Sequence, residues 1–274
     1  VSGSSEPLTW SALLGLWCNK TDILAKHRGP RRMIVCHRHR FIFIKTRKTA
    51  GSSIEIALSR LCGPGDIVTR LSSERGEERL RQEEGGYGPT GDRKPVRAHR
   101  GFREWRRLLT QGQRARWRQH TTARTLRALL PRHVWDSYLK VTVERNPWDR
   151  ALSRYWWMKG RREEQGQTDF PSVSEYLVWM EKNKPQWISN WAHYAIDDDL
   201  LVDRVLLYER LESDLAELAQ TLRVDATQLQ LPEQKAKGGF RKDTRSYRDV
   251  LGQSDRTLIE RVCEPEIRAF GYQF

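Results

Sequence analysis

Phe41-Ile42-Phe43-Ile44-Lys45-Thr46-Arg47-Lys48-Thr49-Ala50-Gly51-Ser52-Ser53-Ile54-Glu55 begins as an apolar run, passes through a small, basic, hydroxyl-rich turn and enters a helical pattern. Every position from Phe41 to Ile44 is apolar, which predicts a strand buried on both faces, the usual state of a strand in a parallel sheet. Ala50, Gly51, Ser52 and Ser53 carry little side chain, so backbone N–H groups there can approach a ligand closely. The helix N-terminus behind them adds partial positive charge. Lys45, Arg47 and Lys48 add full charges. Two readings fit the stretch alone: an anion site, or a solvated basic loop between a strand and a helix.

Further along, the same device recurs. Residues 138–144 form a second apolar, β-branched run that ends at Arg145-Asn146-Pro147-Trp148-Asp149. Pro147 suits the first position of a helix, where its missing N–H costs nothing. The helix that follows, from Trp148 to about Lys159, places Ala151, Leu152, Tyr155 and Trp156 on one apolar side. Residues 202–208 are a third strand candidate, followed by a helix over Leu211–Leu222. Strands alternating with helices predict an α/β fold, a three-layer sandwich with a central parallel sheet flanked by helices.

Within 274 residues, the apolar fraction of 38% is enough to bury a core, which excludes a disordered chain. The formal net charge of +14 calls for an anionic partner: a nucleotide, nucleic acid, an acidic lipid surface or an acidic polysaccharide. Tryptophans beside arginines, as in Trp105-Arg106 and Trp117-Arg118, suit stacking on sugars or bases as well as ordinary packing. Cys18, Cys36, Cys62 and Cys263 lie far apart, without C-x-x-C or zinc-type spacing, so scattered buried thiols and no metal are expected. A Cys18–Cys36 disulfide fits a lumenal chain. No run approaches the length of a transmembrane helix.

The chain divides into a polar, basic lead-in over 1–40 and one domain over 41–274, with a basic insertion at about 72–118 expected to be irregular. After the first helix, Gly63-Pro64-Gly65 is a stop. His120 precedes a helix that Thr121 or Thr122 can cap, and residues 172–182 and 186–194 read as aromatic-rich helices. Lys237, Gly238, Gly239 and Arg241 lie in a basic loop, and a last helix runs over 257–270.

Arg47-Lys48-Thr49-Ala50-Gly51-Ser52-Ser53 resembles the 5′-phosphosulfate loop of sulfotransferases that use 3′-phosphoadenosine 5′-phosphosulfate (PAPS), particularly the carbohydrate branch that includes heparan sulfate 2-O-sulfotransferases. Arg145-Asn146-Pro147-Trp148-Asp149-Arg150-Ala151-Leu152-Ser153-Arg154-Tyr155 is similar to that family's 3′-phosphate element. The tail Phe270-Gly271-Tyr272-Gln273-Phe274 also looks like that of bacterial members. The resemblance implies a P-loop-like sulfotransferase fold, although the nucleotide-kinase pattern G-x-x-x-x-G-K-[ST] is absent.

What the resemblance implies chemically is transfer of a sulfuryl group from PAPS to an acceptor hydroxyl, of a carbohydrate in the family's pattern, releasing adenosine 3′,5′-bisphosphate without a metal. Lys48 matches the loop lysine that stabilises the leaving phosphate. Arg47, Thr49, Ala50, Gly51, Ser52 and Ser53 match the 5′ site, Arg145 and Ser153 the 3′-phosphate site, and Lys237 and Arg241 a loop that closes on the cofactor. His120 is the candidate base, since imidazole titrates near neutrality, with His99 and Glu55 in reserve. Trp148 packs near the adenine or staples its helix. The other reading is a non-catalytic basic module binding nucleic acid or a polyanionic glycan. Unpatterned cysteines and the lack of a signal peptide suit a bacterial cytoplasm, and a trimmed Golgi lumenal domain, starting at Val1 as here, is the alternative.

Overall fold

The computed structural model describes residues 33–72, 76–91, 93, 96, 99, 102–114, 121–233, 240, 241 and 243–274. Its first strands are β1 (Met33–Cys36) and β2 (Phe41–Ile44), both buried throughout, joined by a turn over 37–40. So short a connection returns the chain directly, and β1 pairs antiparallel with β2, Cys36 opposite Phe41. Helix α1 (Gly51–Ser59) follows the basic turn, and β3 (Ile67–Val68) returns antiparallel to β1.

The region expected to be an irregular insertion holds α2 (Glu77–Glu83) and α3 (Phe102–Gln111). Helices α4 (Ala123–Leu129) and α5 (Arg132–Ser137) then lead to β4 (Leu139–Glu144). Thr122 caps α4, its hydroxyl accepting from the Thr125 N–H at 3.2 Å. The long helix α6 (Pro147–Glu163) and α7 (Val173–Asn183) come next, then the small hairpin β5 (Ala195–Ile196) and β6 (Asp199–Leu200). Strand β7 (Arg204–Leu207), α8 (Leu211–Leu222), α9 (Tyr247–Val250), α10 (Gln253–Val262) and α11 (Glu264–Phe270) complete the order.

The main sheet has the order β3-β1-β2-β4-β7. Strands β2, β4 and β7 run parallel, while β1 and β3 oppose them. The expected parallel sheet is therefore corrected to a mixed one, and the last residues of the expected lead-in are a sheet strand. Both corrections have one cause: Met33–Cys36 is a single short apolar run beside the polar His37-Arg38-His39-Arg40, and only its partner strand makes it a strand.

Alternation within the strands sends side chains to both faces. Ile34, Phe41, Phe43, Val141 and Leu206 pack with Ile54, Leu58, Leu215 and Leu218 of α1 and α8. Met33, Val35, Ile42 and Ile44 pack on the other face with Leu126, Val134, Trp135 and Tyr194. A third apolar cluster joins α6, α7 and α10 through Leu152, Tyr155, Tyr176, Met180 and Ile259. A central mixed sheet flanked by helices is the result. Among the described residues, no helix is long and apolar enough to cross a membrane.

Candidate active site

Parallel pairing of β2 with β4, Ile44 opposite Thr142, puts the turns after both strands at the same edge of the sheet. Thr142 Oγ1 donates to the Ile44 carbonyl at 2.7 Å, and Thr46 Oγ1 bonds the Val143 carbonyl, so side chains fasten the two strand ends.

In the first turn, Lys48 (φ 61°) and Ala50 (φ 55°) both adopt left-handed backbone conformations. Non-glycine residues take that region at a cost, and such residues cluster at functional sites. The Ile54 N–H bonds the Ala50 carbonyl at 3.2 Å, so the N–H groups of Gly51, Ser52 and Ser53 precede the helical ladder and point out of the α1 N-terminus. Thr49 is buried, its hydroxyl 2.9 Å from that of Thr46, and Ser53 is half-buried.

Lys45 lies beneath this turn, only 3% exposed. Its Nζ donates to Ser52 Oγ at 2.9 Å and meets Glu55 Oε2 at 2.5 Å, while Ser52 Oγ donates to Glu77 Oε1 at 3.0 Å. Glu55 is thus the counter-ion of a buried lysine. A Cβ on Gly51 would come within 2.8 Å of Lys45 Cγ, so close approach requires glycine there. Lys48 is half-buried, its ammonium 5.5 Å from the centroid of the Trp157 ring.

The second turn is held by Asn146, whose Oδ1 accepts from the N–H groups of Trp148 at 3.1 Å and Asp149 at 3.2 Å, capping α6. Arg145 donates through Nε at 2.8 Å and Nη2 at 2.5 Å to Asp149 Oδ2, and through Nη1 at 3.2 Å to the Lys48 carbonyl. Its guanidinium also lies over Tyr208, 4.1 Å from the ring centroid. Arg241 reaches the other Asp149 oxygen at 3.0 Å. One carboxylate therefore orients two arginines at the mouth of the turn.

The sequence matches the model of the sulfotransferase family over residues 31–273. The chain belongs to the sulfotransferase family. It is also similar to a sulfotransferase of known crystal structure from Alicyclobacillus acidocaldarius, with 19% identity, a TM-score of 0.36, and coverage of 85% of this chain and 98% of that one. An uncharacterized protein from Archaeoglobus fulgidus is 29% identical over 98 residues, 35% of this chain and 78% of that protein.

Behind its two turns the sulfotransferase has a buried polar network. Glu144, at the end of β4, accepts on Oε1 from the Arg145 N–H at 2.8 Å, from Asn190 Nδ2 at 3.3 Å and from Arg150, and on Oε2 from the Tyr194 hydroxyl at 2.8 Å. Glu266 Oε1 accepts from Arg150 Nη2 at 3.2 Å, Ser189 Oγ at 2.7 Å and the Asn190 N–H at 2.8 Å. Asn190 then grips the first turn from both sides: its Oδ1 accepts from the Arg47 N–H and its Nδ2 donates to the Arg47 carbonyl, each at 3.1 Å. The network thereby fixes Arg47 and Arg145 relative to one another.

Charge in this network is strongly perturbed. Burial opposes the Arg150 charge, but Glu144, Cys263 and Glu266 outweigh it and hold its pKa well above the ordinary value. Burial pushes Glu144 up against the pull of Arg150. Burial, with the nearby charges of Arg154 and Arg150, lowers Arg47 to about 10, and Arg47 Nη1 donates to the Gln186 carbonyl at 3.0 Å. Burial and the charges of Arg47 and Arg150 hold His193 well below its ordinary value.

The structure brings Lys48, Arg145, Asp149 and Arg241 together and places Ser153, half-buried, on α6. His120 and Lys237 lie outside the described residues. Trp148 is 1% exposed, faces Tyr247 and Phe274, and belongs to the helical core. His99 is buried, with Nδ1 2.9 Å from the Val96 carbonyl. The expected helix over 186–194 is instead two short 3-10 turns, Pro185–Trp187 and Trp191–His193, with Asn190 between them. Glu144, Asn190 and Glu266 were not singled out in the sequence; the readable signal was a carboxylate at the inner end of an apolar strand, immediately before Arg145.

Proposed function

We propose that this sulfotransferase moves a sulfuryl group from PAPS to a hydroxyl of a carbohydrate acceptor and releases adenosine 3′,5′-bisphosphate. The observation that carries this reading is the 3.2 Å hydrogen bond from Arg145 to the Lys48 carbonyl. A donor with phosphate groups at its 5′ and 3′ positions needs two anion sites at a fixed separation. Two strand-to-helix turns on neighbouring parallel strands, tied to each other, suit that need.

The residues present fit the group. At the 5′ end, small residues from Ala50 to Ser53 leave backbone N–H groups open to close approach and Ser53 adds a hydroxyl, while the Thr49 and Ser52 hydroxyls, held inward by Thr46, Lys45 and Glu77, leave those two residues to bind through their backbone. Arg145 and Ser153 hold the 3′-phosphate, with Arg241 at the side of the site, and the resemblance assigns Lys237 to the same cofactor loop. The donor, when bound, supplies an activated sulfuryl group. Lys48 neutralises the oxygen that leaves sulfur, a contribution that mounts as charge develops. His120 takes the proton of the acceptor hydroxyl as that oxygen bonds to sulfur. Arg47 supports the 5′ side through its clamped backbone. Residues 41–274 act as one catalytic domain, and the basic charge of the 72–118 region suits an anionic acceptor.

Mass spectrometry of saccharide, phenol and small-alcohol acceptors incubated with PAPS and the protein tests the reading. Sulfuryl addition to a saccharide is expected. Addition only to phenols or small alcohols contradicts the acceptor class, and no addition to any acceptor together with no nucleotide binding contradicts the function.

A further inference from the structure

At the end of the sheet opposite the two turns, the fold collects a group of side chains that the proposed reaction does not use. Cys36 closes β1, Cys62 lies just beyond α1, and Asp66 stands before β3. Cys36 Sγ, Cys62 Sγ and a carboxylate oxygen of Asp66 lie within 4.8 Å of one another. All are buried, at 0%, 8% and 3% exposure. Because β1 is antiparallel to β2 with Cys36 opposite Phe41, this group sits at the start of β2, while Lys45 to Ser53 follow its end.

We propose that Cys36, Cys62 and Asp66 form a structural site for a thiophilic divalent cation, zinc in particular. Two sulfur donors select against magnesium and calcium, which take oxygen ligands, and the carboxylate suits zinc, which accepts S, N and O ligands in one tetrahedral site. The carboxylate is oriented from behind: Asp66 Oδ1 accepts from the His37 N–H at 2.6 Å and Oδ2 from the Gly63 N–H at 2.8 Å. Such outer contacts fix a metal ligand without using all of its lone pairs. Beyond one another and Asp66, the thiols touch backbone: Cys36 Sγ lies 3.6 Å from the Leu61 carbonyl and contacts the His39 backbone, and Cys62 Sγ lies 3.6 Å from the Leu58 carbonyl.

With three protein ligands, the fourth tetrahedral position is taken by water. The three ligands come from two places in the chain, Cys36 at the end of β1 and Cys62-x-x-x-Asp66 at the exit of α1. In sequence the two thiols look unrelated; the β1–β2 hairpin and the exit of α1 bring them together. On binding, two Zn–S bonds and one Zn–O bond form, the two thiol protons pass to solvent, and no electrons move. The ion would clamp the base of the strand–turn–helix unit whose other end bears Lys48.

Cobalt titration of the reduced, chelator-treated full chain tests the site. One equivalent of Co²⁺ should produce a near-ultraviolet sulfur-to-cobalt charge-transfer band and intense tetrahedral d–d bands. Zinc should displace the cobalt, and chelation should lower the melting temperature of the zinc-loaded wild type. Cys36→Ser and Cys62→Ser should each lose the cobalt spectrum, Asp66→Asn should weaken cobalt binding, and Cys263→Ser should keep it. If the serine variants do not fold, the wild-type spectrum and the chelator effect decide. No charge-transfer band in the reduced wild type overturns the proposal, as does a thiol count showing Cys36 and Cys62 joined as a disulfide in freshly purified protein. These readouts use neither PAPS nor an acceptor, so they stand apart from the proposed activity.

Discussion

The Arg145 guanidinium donates a 3.2 Å hydrogen bond to the backbone carbonyl of Lys48, so the turn after β4 holds the turn after β2 directly. The same guanidinium is braced by Asp149 and lies on Tyr208, which limits its motion. Two positive turns so close would repel. Asp149, between Arg145 and Arg241, and Glu144, behind the Arg145 backbone, offset that repulsion.

Replacing Lys48 with alanine should lower turnover on the order of 100-fold or more, since the account assigns its charge to the leaving oxygen. Nucleotide product binding should change much less. Single-turnover kinetics and a binding titration of Lys48→Ala separate the two effects, and a rate close to wild type would remove the assignment.

Arg145→Ala should act chiefly on binding. Losing a charge-assisted hydrogen bond to phosphate costs about 1.5–3 kcal/mol, or roughly ten- to a hundredfold in affinity. Calorimetric titration with adenosine 3′,5′-bisphosphate measures it. The effect should largely disappear with adenosine 5′-monophosphate, which lacks the 3′-phosphate; an equal loss for both nucleotides would mean that Arg145 serves only to shape the turn.

Gly51→Ala tests the packing beneath the first turn. Its Cβ would meet Lys45 Cγ at 2.8 Å, and Lys45 cannot swing aside easily because Ser52 and Glu55 hold its ammonium. Overpacking of this kind costs about 1–3 kcal/mol. A urea unfolding midpoint equal to wild type would show that the buried lysine relaxes freely.

Stability should also depend on His193. Burial, reinforced by Arg47 and Arg150, keeps its folded-state pKa well below the ordinary 6.5. Below that pH the unfolded chain binds a proton that the folded chain refuses, so the unfolding free energy rises with pH through this window and is lost as pH falls. The contribution approaches about 1.4 kcal/mol per pH unit. His193→Gln should flatten that part of the urea-derived stability profile; an unchanged slope would place the titration elsewhere.

The two basic turns were legible because each couples a buried-type apolar run to small or helix-starting residues, a local pattern. Their contact was not, since nothing in the spacing of Lys48 and Arg145 reports that β2 and β4 are parallel neighbours. Strand β1 was hidden by the polar, basic residues on both sides of it, Arg31-Arg32 before and His37-Arg38-His39-Arg40 after. The network of Glu144, Arg150, Asn190 and Glu266 was hidden for another reason. A charged residue read alone is expected at the surface, and only the fold brings each its buried partner. Likewise, Lys45 read as one more positive charge of the turn, yet it is the ion buried under it.

The central claim is that the two joined turns bind a nucleotide carrying both 5′- and 3′-phosphates. Isothermal titration of the wild-type chain with adenosine 3′,5′-bisphosphate, beside adenosine 5′-monophosphate, tests it most directly. Saturable binding at one site per chain is expected, with the bisphosphate preferred at least about tenfold, in line with the loss expected when a charged hydrogen bond to phosphate is missing. No saturable binding by a folded chain, or equal affinity for the two nucleotides, would contradict it.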